Sequence, residues 1–287
     1  MAQADGQNKY ILCYSKSHVR NHEWRTAENS AGFLLPVLQD LTKKSLEDPS
    51  RTEPYPKLLD IGAGSGTITA SLAKYIPNGH ITATDISTEI LERAAEHAKS
   101  QGVTNITFQP ANIFKLPFPD NAFDVVHVSM VLSHLEATVD AYKELLRVTK
   151  PGGVVANRES EARAVTVYPD VPALLKFNKV LEDTLAAAGG QRGAGSRLIS
   201  WALKAGVKRE QITFSFSTWT YSTLEERQIW GETMAERLRN GPLGQKAIEI
   251  GVASKEDVEA MARAWEEWVT TEDACYSSMN GEILIRK

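Results

Sequence analysis

Cysteine is scarce in this sequence, since only Cys13 and Cys275 occur among its 287 residues. Two cysteines so far apart match neither a disulfide framework nor the ligand spacing of a zinc site. They favour a reducing compartment, and we expect no bound metal.

The sequence also lacks a long apolar run, a leader segment and a block of basic residues. A membrane-spanning helix needs roughly 18 apolar residues in succession, and no run here approaches that length. The net charge is −4, whereas nucleic-acid-binding proteins usually carry a basic surface. We therefore predict a cytoplasmic monomer that acts on a small molecule and has neither a nucleic-acid nor a membrane partner.

The most informative stretch is KLLDIGAGSG at residues 57–66. A short apolar strand runs into glycines at alternate positions, namely Gly62, Gly64 and Gly66. Glycines let a ligand lie against the backbone, so we expect a nucleotide-sized ligand here. A dinucleotide fingerprint would have its third glycine where this chain has Thr67. Asp60 suits a ligand that carries a positive charge, and a ligand that joins adenosine to an amino acid's ammonium group is S-adenosylmethionine.

Strands and helices alternate through the middle of the sequence. The run HITATD ends at Asp85, nineteen positions beyond Gly66, where doubly wound folds place an acid that accepts hydrogen bonds from ribose hydroxyls. FDVVHVSMV is apolar enough for a central strand, and VVANRE follows as the next strand. Strands that alternate with helices of ten or more residues form βαβ units. We predict an α/β fold with a doubly wound, mostly parallel, seven-stranded sheet of the Rossmann-like kind.

We expect one domain over residues 1–287, built from three parts. Residues 1–56 contain an amphipathic helical segment, broken near Pro36, which we interpret as a lid over the ligand site. Residues 57–159 form the cofactor-binding core. Residues 160–287 contain extra helices, which we assign to the substrate pocket, and the last two strands, at QITFSFSTWTYS and near residues 281–287.

The order of the motifs resembles that of one known family. LLDIGAGSG, TATDIS, FQPANI, FDVVHVSMVLSHL and LLRVTKPGGVV follow one another over about residues 58–159. In this order they resemble the class I S-adenosylmethionine-dependent methyltransferases. The string RTAENSAGFLLP makes the chain similar to the fungal small-molecule branch, close to the ubiquinone/menaquinone-type enzymes. More narrowly, the chain resembles the fungal thiomethyltransferases of secondary metabolism that methylate both thiols of reduced gliotoxin.

The resemblance implies which residues bind the cofactor. They are Tyr10, Arg25, Asn29, Asp60, Gly62, Ala63, Gly64, Gly66, Asp85, Ile86, Ala111, Asn112, Ile113, Val128 and Ser129. Asp60 would address the ammonium group and Asp85 the ribose, while the residues before the first strand suit the cofactor's carboxylate. Asn112 departs from the family, which often has Asp at the adenine. Its carbonyl oxygen can still accept a hydrogen bond.

Methyl transfer from a sulfonium asks the protein mainly for proximity, orientation and exclusion of water. A thiol, with an ordinary pKa of about 8.5, is already a few per cent ionised at pH 7, so a base is not obligatory. His134 is the candidate general base, and its alternative role is that of a structural histidine that packs the next helix. Trp24 and Met130 are candidates for lining the substrate, although Trp24 could equally pack the lid onto the domain.

Three functions remain open at this point. The favoured one is methylation of a thiol or dithiol on a small apolar metabolite. O- or C-methylation of a phenol, quinone or polyketide is the alternative, and it would normally need a positioned base. A non-catalytic cofactor-binding module is the third.

Overall fold

The computed structural model describes residues 23–47 and 53–287. Its centre is a seven-stranded sheet with the order β3-β2-β1-β4-β5-β7-β6. The strands are β1 (Lys57–Ile61), β2 (His80–Asp85), β3 (Ile106–Pro110), β4 (Phe123–Ser129), β5 (Thr149–Tyr168), β6 (Ile212–Tyr221) and β7 (Cys275–Arg286). The first five strands run parallel, and β7 is antiparallel to both of its neighbours. The predicted fold class is therefore confirmed.

Helices cover both faces of this sheet. They are α1 (Ala27–Ser30), α2 (Leu35–Glu47), α3 (Thr67–Ala73), α4 (Thr88–Ser100), α5 (Thr138–Val148), α6 (Pro172–Ala187), α7 (Ala194–Lys204), α8 (Leu224–Arg227), α9 (Thr233–Arg239), α10 (Pro242–Glu249) and α11 (Lys255–Thr270). A π-helical turn, Gln228–Glu232, joins α8 to α9. Within residues 23–47 and 53–287, no helix is long and apolar enough to cross a bilayer.

Alternation along the strands sorts the core into two layers. Leu59 and Ile61 of β1 pack on the face that carries α5 and α7. Leu58 packs on the other face, against buried side chains of the amino-terminal helices, Ala27, Ala31, Leu34 and Leu38. Because side chains two residues apart on a strand share a face, Asp60 lies on the same face as these helices. The amino-terminal segment is thereby brought beside the glycine loop.

The carboxyl-terminal helices enclose a separate aromatic core. Trp230, Trp265 and Tyr276 pack ring against ring, with the centroids of Trp230 and Tyr276 4.7 Å apart. Trp24 and Met130 pack against this core. The helices after residue 160 therefore extend to the residues predicted to line the substrate.

Two strands are longer than the sequence predicted. β5 continues past VVANRE to Tyr168, and β7 begins at Cys275, ahead of the predicted start. Beyond a bulge, the end of β5 pairs with the beginning of β7, so each strand satisfies the other's backbone groups. The sequence also gave no sign of α10, because Gly241 and Pro242 suggest a break. Pro242 instead occupies the first turn of the helix, where its missing N–H costs nothing.

Candidate active site

The loop after β1 uses its three glycines in different ways. All three have positive φ angles, 71° at Gly62, 54° at Gly64 and 75° at Gly66. A Cβ on Gly62 would lie 2.3 Å from a methyl group of Val131, and one on Gly66 would lie 2.7 Å from the Cβ of Ala94. A Cβ on Gly64 would meet nothing within 4 Å. Gly62 and Gly66 therefore allow the loop to pack closely against Val131 and Ala94, while Gly64 faces open space in which a ligand can lie.

Asp85 closes the opposite side of this space. Its Oδ2 accepts a hydrogen bond from the Gly64 N–H at 3.1 Å, and its Oδ1 accepts one from the Ser87 N–H at 3.1 Å. Burial raises the pKa of this carboxyl group. Beside it, Ile86 leaves 62% of its apolar side chain exposed. An acid and an exposed apolar side chain thus stand together at the end of β2, and their contacts with ribose and adenine remain predictions.

Asp60 is buried beneath the loop. One carboxylate oxygen accepts from His127 Nδ1 at 2.7 Å, and the other accepts from the hydroxyl of Thr69 in the first turn of α3. The carboxylate therefore ties β1, β4 and α3 together. Contact with the cofactor's ammonium group remains a prediction, and it would use lone pairs that these two bonds leave over.

The residues that were predicted to surround adenine lie in a turn after β3. The Ala111 N–H donates to the carbonyl of Asp85 at 3.0 Å, and Ile113 is buried behind it. The Oδ1 atom of Asn112 accepts from the Phe114 N–H at 3.0 Å. The carbonyl oxygen of Asn112 therefore holds the turn with one lone pair, and acceptance from the adenine amine through the other remains a prediction.

Glu159 of β5 organises the turn that follows β4. Its buried carboxylate accepts from the backbone N–H groups of Val131, Leu132 and Ser133, at 3.0, 2.8 and 3.1 Å. The preceding residue, Met130, has a positive φ of 57°. Val128 and Ser129 end the strand on which this turn is built. Sequence analysis did not identify Glu159, and the available signal was an acidic residue within the apolar run VVANRE.

His134 lies at the end of this same turn. Burial and then the positive charge of Arg25 lower the pKa of His134 to about 4. The imidazole is therefore neutral at pH 7 and only a weak proton acceptor.

The amino-terminal segment, which was predicted to cover the site, packs on β6. Trp24 packs on Tyr221 with ring centroids 4.7 Å apart, and the Arg25 guanidinium lies 4.4 Å from the ring centre of Trp219. The side chain of Asn29 caps its own helix, since it accepts from the Thr26 N–H and donates to the carbonyl of Trp24. Contacts of Arg25 and Asn29 with the cofactor remain predictions, and Tyr10 lies outside the described residues.

A cavity elsewhere is separate from this site. It has a volume of about 340 Å³ and lies at the amino ends of β4 and β5, between α2 and residues that include Asp124, Lys150 and Arg286. None of the predicted site residues lines it. The glycine loop lies at the opposite end of the strands, after β1.

Comparison with known proteins points the same way as the geometry. A family model described as a methyltransferase domain matches residues 54–188. An uncharacterised methyltransferase of Schizosaccharomyces pombe is 30% identical, over 99% of this chain and 96% of its own. A protein of Aspergillus luteorubrus named as a probable methyltransferase is 28% identical over the full length of both chains.

Other similarities cover part of the chain or concern the fold alone. A ubiquinone/menaquinone biosynthesis C-methyltransferase of Ectopseudomonas mendocina is 36% identical over 118 residues, which are 40% of this chain and 46% of its own. The solved structure of the YcgJ protein of Bacillus subtilis superposes with a TM-score of 0.51 at 19% identity, and it covers 86% of this chain and 98% of its own.

Proposed function

Because this chain belongs to the S-adenosylmethionine-dependent methyltransferases, we propose that it methylates thiol groups of a small secondary metabolite, with both thiols of reduced gliotoxin as the favoured acceptors. The resemblance in sequence motifs suggests gliotoxin. The preference for a thiol rests on the electrostatics of the site.

The residues around the glycine loop suit the cofactor. The open side of Gly64 provides room, the Asp85 carboxylate can accept from ribose hydroxyls, and Ile86 offers an apolar surface to adenine. When bound, S-adenosylmethionine supplies a methyl group whose bond to the sulfonium breaks, leaving its electron pair on sulfur, as a lone pair of the acceptor forms the new bond. The protein's part is to place the acceptor and to keep water away.

The observation that carries the choice of a thiol is the low pKa of His134, about 4. So weak a base gives little help to an acceptor that holds its proton tightly. A phenol, with a pKa of about 10, is almost fully protonated at pH 7, whereas a thiol near 8.5 already contains some reactive anion. Glu159, the buried acid nearby, is engaged with the backbone of its turn.

C-methylation of a quinol-type ring is the second candidate. It is supported by the similarity to ubiquinone/menaquinone C-methyltransferases. That similarity covers about 40% of this chain and 46% of the relative, so it bears little on the acceptor.

Mass spectrometry of products tests the proposal directly. The purified enzyme would be incubated with methyl-labelled S-adenosylmethionine and, separately, with reduced gliotoxin, a phenol and a quinol. We expect one and then two labelled methyl groups on the dithiol. Label on the phenol or quinol alone would overturn thiol methylation. Cofactor binding without any product would favour a non-catalytic module.

His134→Gln separates a base from a structural histidine. Because His134 is already neutral above pH 6, we expect kcat to fall less than about tenfold and by the same factor from pH 6 to 9. A loss that grows toward low pH would make His134 the base that deprotonates the acceptor.

A further inference from the structure

Arg158 of β5 is a fully buried cation whose donors are incompletely used. Its Nε donates to Glu282 at 3.2 Å and its Nη2 to Ser217 at 3.4 Å, while the guanidinium lies 4.1 Å from the ring centre of Trp219. Within the described part of the chain, Nη1 has no acceptor. A buried charge normally fills its hydrogen bonds, so the unused donor needs a reason.

Two hydroxyl groups on the same face of the sheet are also buried polar groups whose hydrogen bonds are unfilled. The Tyr221 hydroxyl and the Ser129 Oγ are buried and have no hydrogen-bond partner among residues 23–47 and 53–287. Ser129 is the register partner of Arg158, at the carboxyl end of β4. Tyr221 is two residues beyond Trp219, the residue that Arg158 covers, and therefore points to the same face.

Two arginines and two glutamates surround these groups. The charged and titratable groups that face Tyr221 are Arg25 from the amino-terminal segment, Arg158 of β5, Glu226 of α8 and Tyr276 of β7, with Glu282 paired to Arg158. Burial raises the pKa of Tyr221, and the two arginines oppose that rise. Arg25 also lowers the pKa of His134, so the same positive field reaches the turn after β4.

Arg158 and Tyr221 lie away from the glycine loop. The residues proposed above for ribose and adenine follow β1 and β2, and Ser129, also predicted near the cofactor, ends β4, whereas Arg158 and Tyr221 belong to β5 and β6. With strands spaced about 4.8 Å apart, β6 is four places and roughly 19 Å from β1. Trp24 and Met130, the predicted substrate-lining residues, pack against the aromatic core that contains Tyr221.

We propose that Arg158 and Tyr221, with Ser129 beside them, bind the methyl acceptor as its anion. This inference rests on the proposed function and adds the ionisation state of the acceptor and the residues that favour it. The S–H bond of the thiol breaks, its electron pair stays on sulfur, and its proton passes to solvent. The thiolate then accepts hydrogen bonds from the unused N–H and O–H groups, which do the work that a base would otherwise do.

Thiophenol provides a probe of this ionisation, because its anion absorbs at longer wavelength than its acid. The full-length protein, saturated with S-adenosylhomocysteine to prevent turnover, would be titrated with pH in the presence of thiophenol. We expect the pKa of bound thiophenol to lie about 1 unit or more below that of free thiophenol. A bound pKa equal to or above the free value would overturn the proposal.

Tyr221→Phe removes only a hydroxyl that makes no hydrogen bond to the described residues, so the variant should be at least as stable as the wild type. Most of the lowering of the thiophenol pKa should be lost, while the Kd for S-adenosylmethionine stays unchanged in calorimetry. Tyr276→Phe is the matched control, since it removes a hydroxyl from the neighbouring ring and should leave the probe's pKa low. An unchanged probe in Tyr221→Phe, or a weakened Kd for the cofactor, would overturn the assignment.

Arg158→Gln alone would leave Glu282 buried without its partner and could prevent folding. The double variant Arg158→Gln/Glu282→Gln removes both charges together, and we expect it also to raise the pKa of the bound probe. The wild type could ionise bound thiophenol and yet methylate neither thiophenol nor any other thiol when S-adenosylmethionine is supplied. That result would contradict the proposed function but would still support the anion-binding site.

Discussion

Gly64 and Asp85 meet at the tip of the loop after β1, and we expect these two residues to determine cofactor binding. The backbone of Gly64 has a φ of 54° and an open Cβ direction, while its N–H holds the Asp85 carboxylate. A side chain on Gly64 would enter the space assigned to the ligand. Loss of the carboxylate would remove the acceptor for the ribose.

We predict that Gly64→Val and Asp85→Ala each weaken binding of S-adenosylmethionine at least tenfold, as measured by calorimetry. Gly251→Val is the control for the first substitution, because Gly251 also has a positive φ, 73°, and open space, but lies after α10. Both glycine variants should lose about 1–3 kcal/mol of stability from backbone strain. Only the variant in the loop should lose the cofactor. Equal affinity in all three variants would contradict the site.

Sequence spacing was sufficient to find these two residues, because a glycine-rich turn and an acid at the next strand end are local signals. The sequence could not show that the carbonyl oxygen of Asn112 accepts a hydrogen bond from the Phe114 N–H, or that Asp60 is paired with His127. Those pairings depend on rotamers and on strand register, which bring together residues far apart in the chain.

At the scale of elements, the turn after β4 depends on a strand beside it. Glu159 of β5 accepts from three successive backbone N–H groups, and the Met130 N–H donates to the carbonyl of Arg158. Burial raises the pKa of Glu159, which reflects the cost of keeping a charge in this position. The turn that carries His134 is therefore stabilised by a side chain of the neighbouring strand β5.

We predict that Glu159→Gln lowers the free energy of unfolding by about 2–4 kcal/mol, because one oxygen acceptor is replaced by a donor that faces backbone N–H groups. Glu226→Gln is the matched control, since Glu226 accepts from the N–H groups of Ser222 and Thr223 at an accessible helix start. It should cost about 1 kcal/mol or less. Urea denaturation of both variants measures the difference, and equal losses would show that burial of the Glu159 cap is unimportant.

Other features of the elements were beyond the reach of the sequence. Gly281 of β7 lies so close to α7 that a Cβ would be 2.2 Å from the carbonyl oxygen of Gly195. A glycine in a strand signals a close approach, but it does not name the partner. The extension of β5 to Tyr168 similarly depends on pairing with β7, more than a hundred residues later in the chain.

For the whole molecule, the aromatic residues connect the amino-terminal segment to the far edge of the sheet. Trp219 of β6 donates its Nε1–H to the carbonyl of Asn29 at 2.9 Å, and its ring lies beneath Arg25. Trp24 packs against both Trp219 and Tyr221. The sequence predicts that the segment covers the ligand site, which remains a prediction. It could not indicate that β6 anchors the segment, because the contact spans nearly two hundred residues.

The role of this anchor can be measured by proteolysis, because trypsin cleaves after Arg25 once the segment opens. We predict that Trp219→Phe, which loses the hydrogen bond to Asn29, accelerates that cleavage about fivefold, the effect of roughly 1 kcal/mol on local opening. Trp268→Phe is the matched control, since Trp268 donates an equally short bond, 2.9 Å, to the carbonyl of Tyr168 within the distal core. Both variants should lose similar global stability, but only Trp219→Phe should be cut faster at Arg25, as mass spectrometry of the fragments would show. Equal acceleration in the two variants would mean that the segment opens only when the whole protein unfolds, and that Trp219 has no special part in holding it over the site.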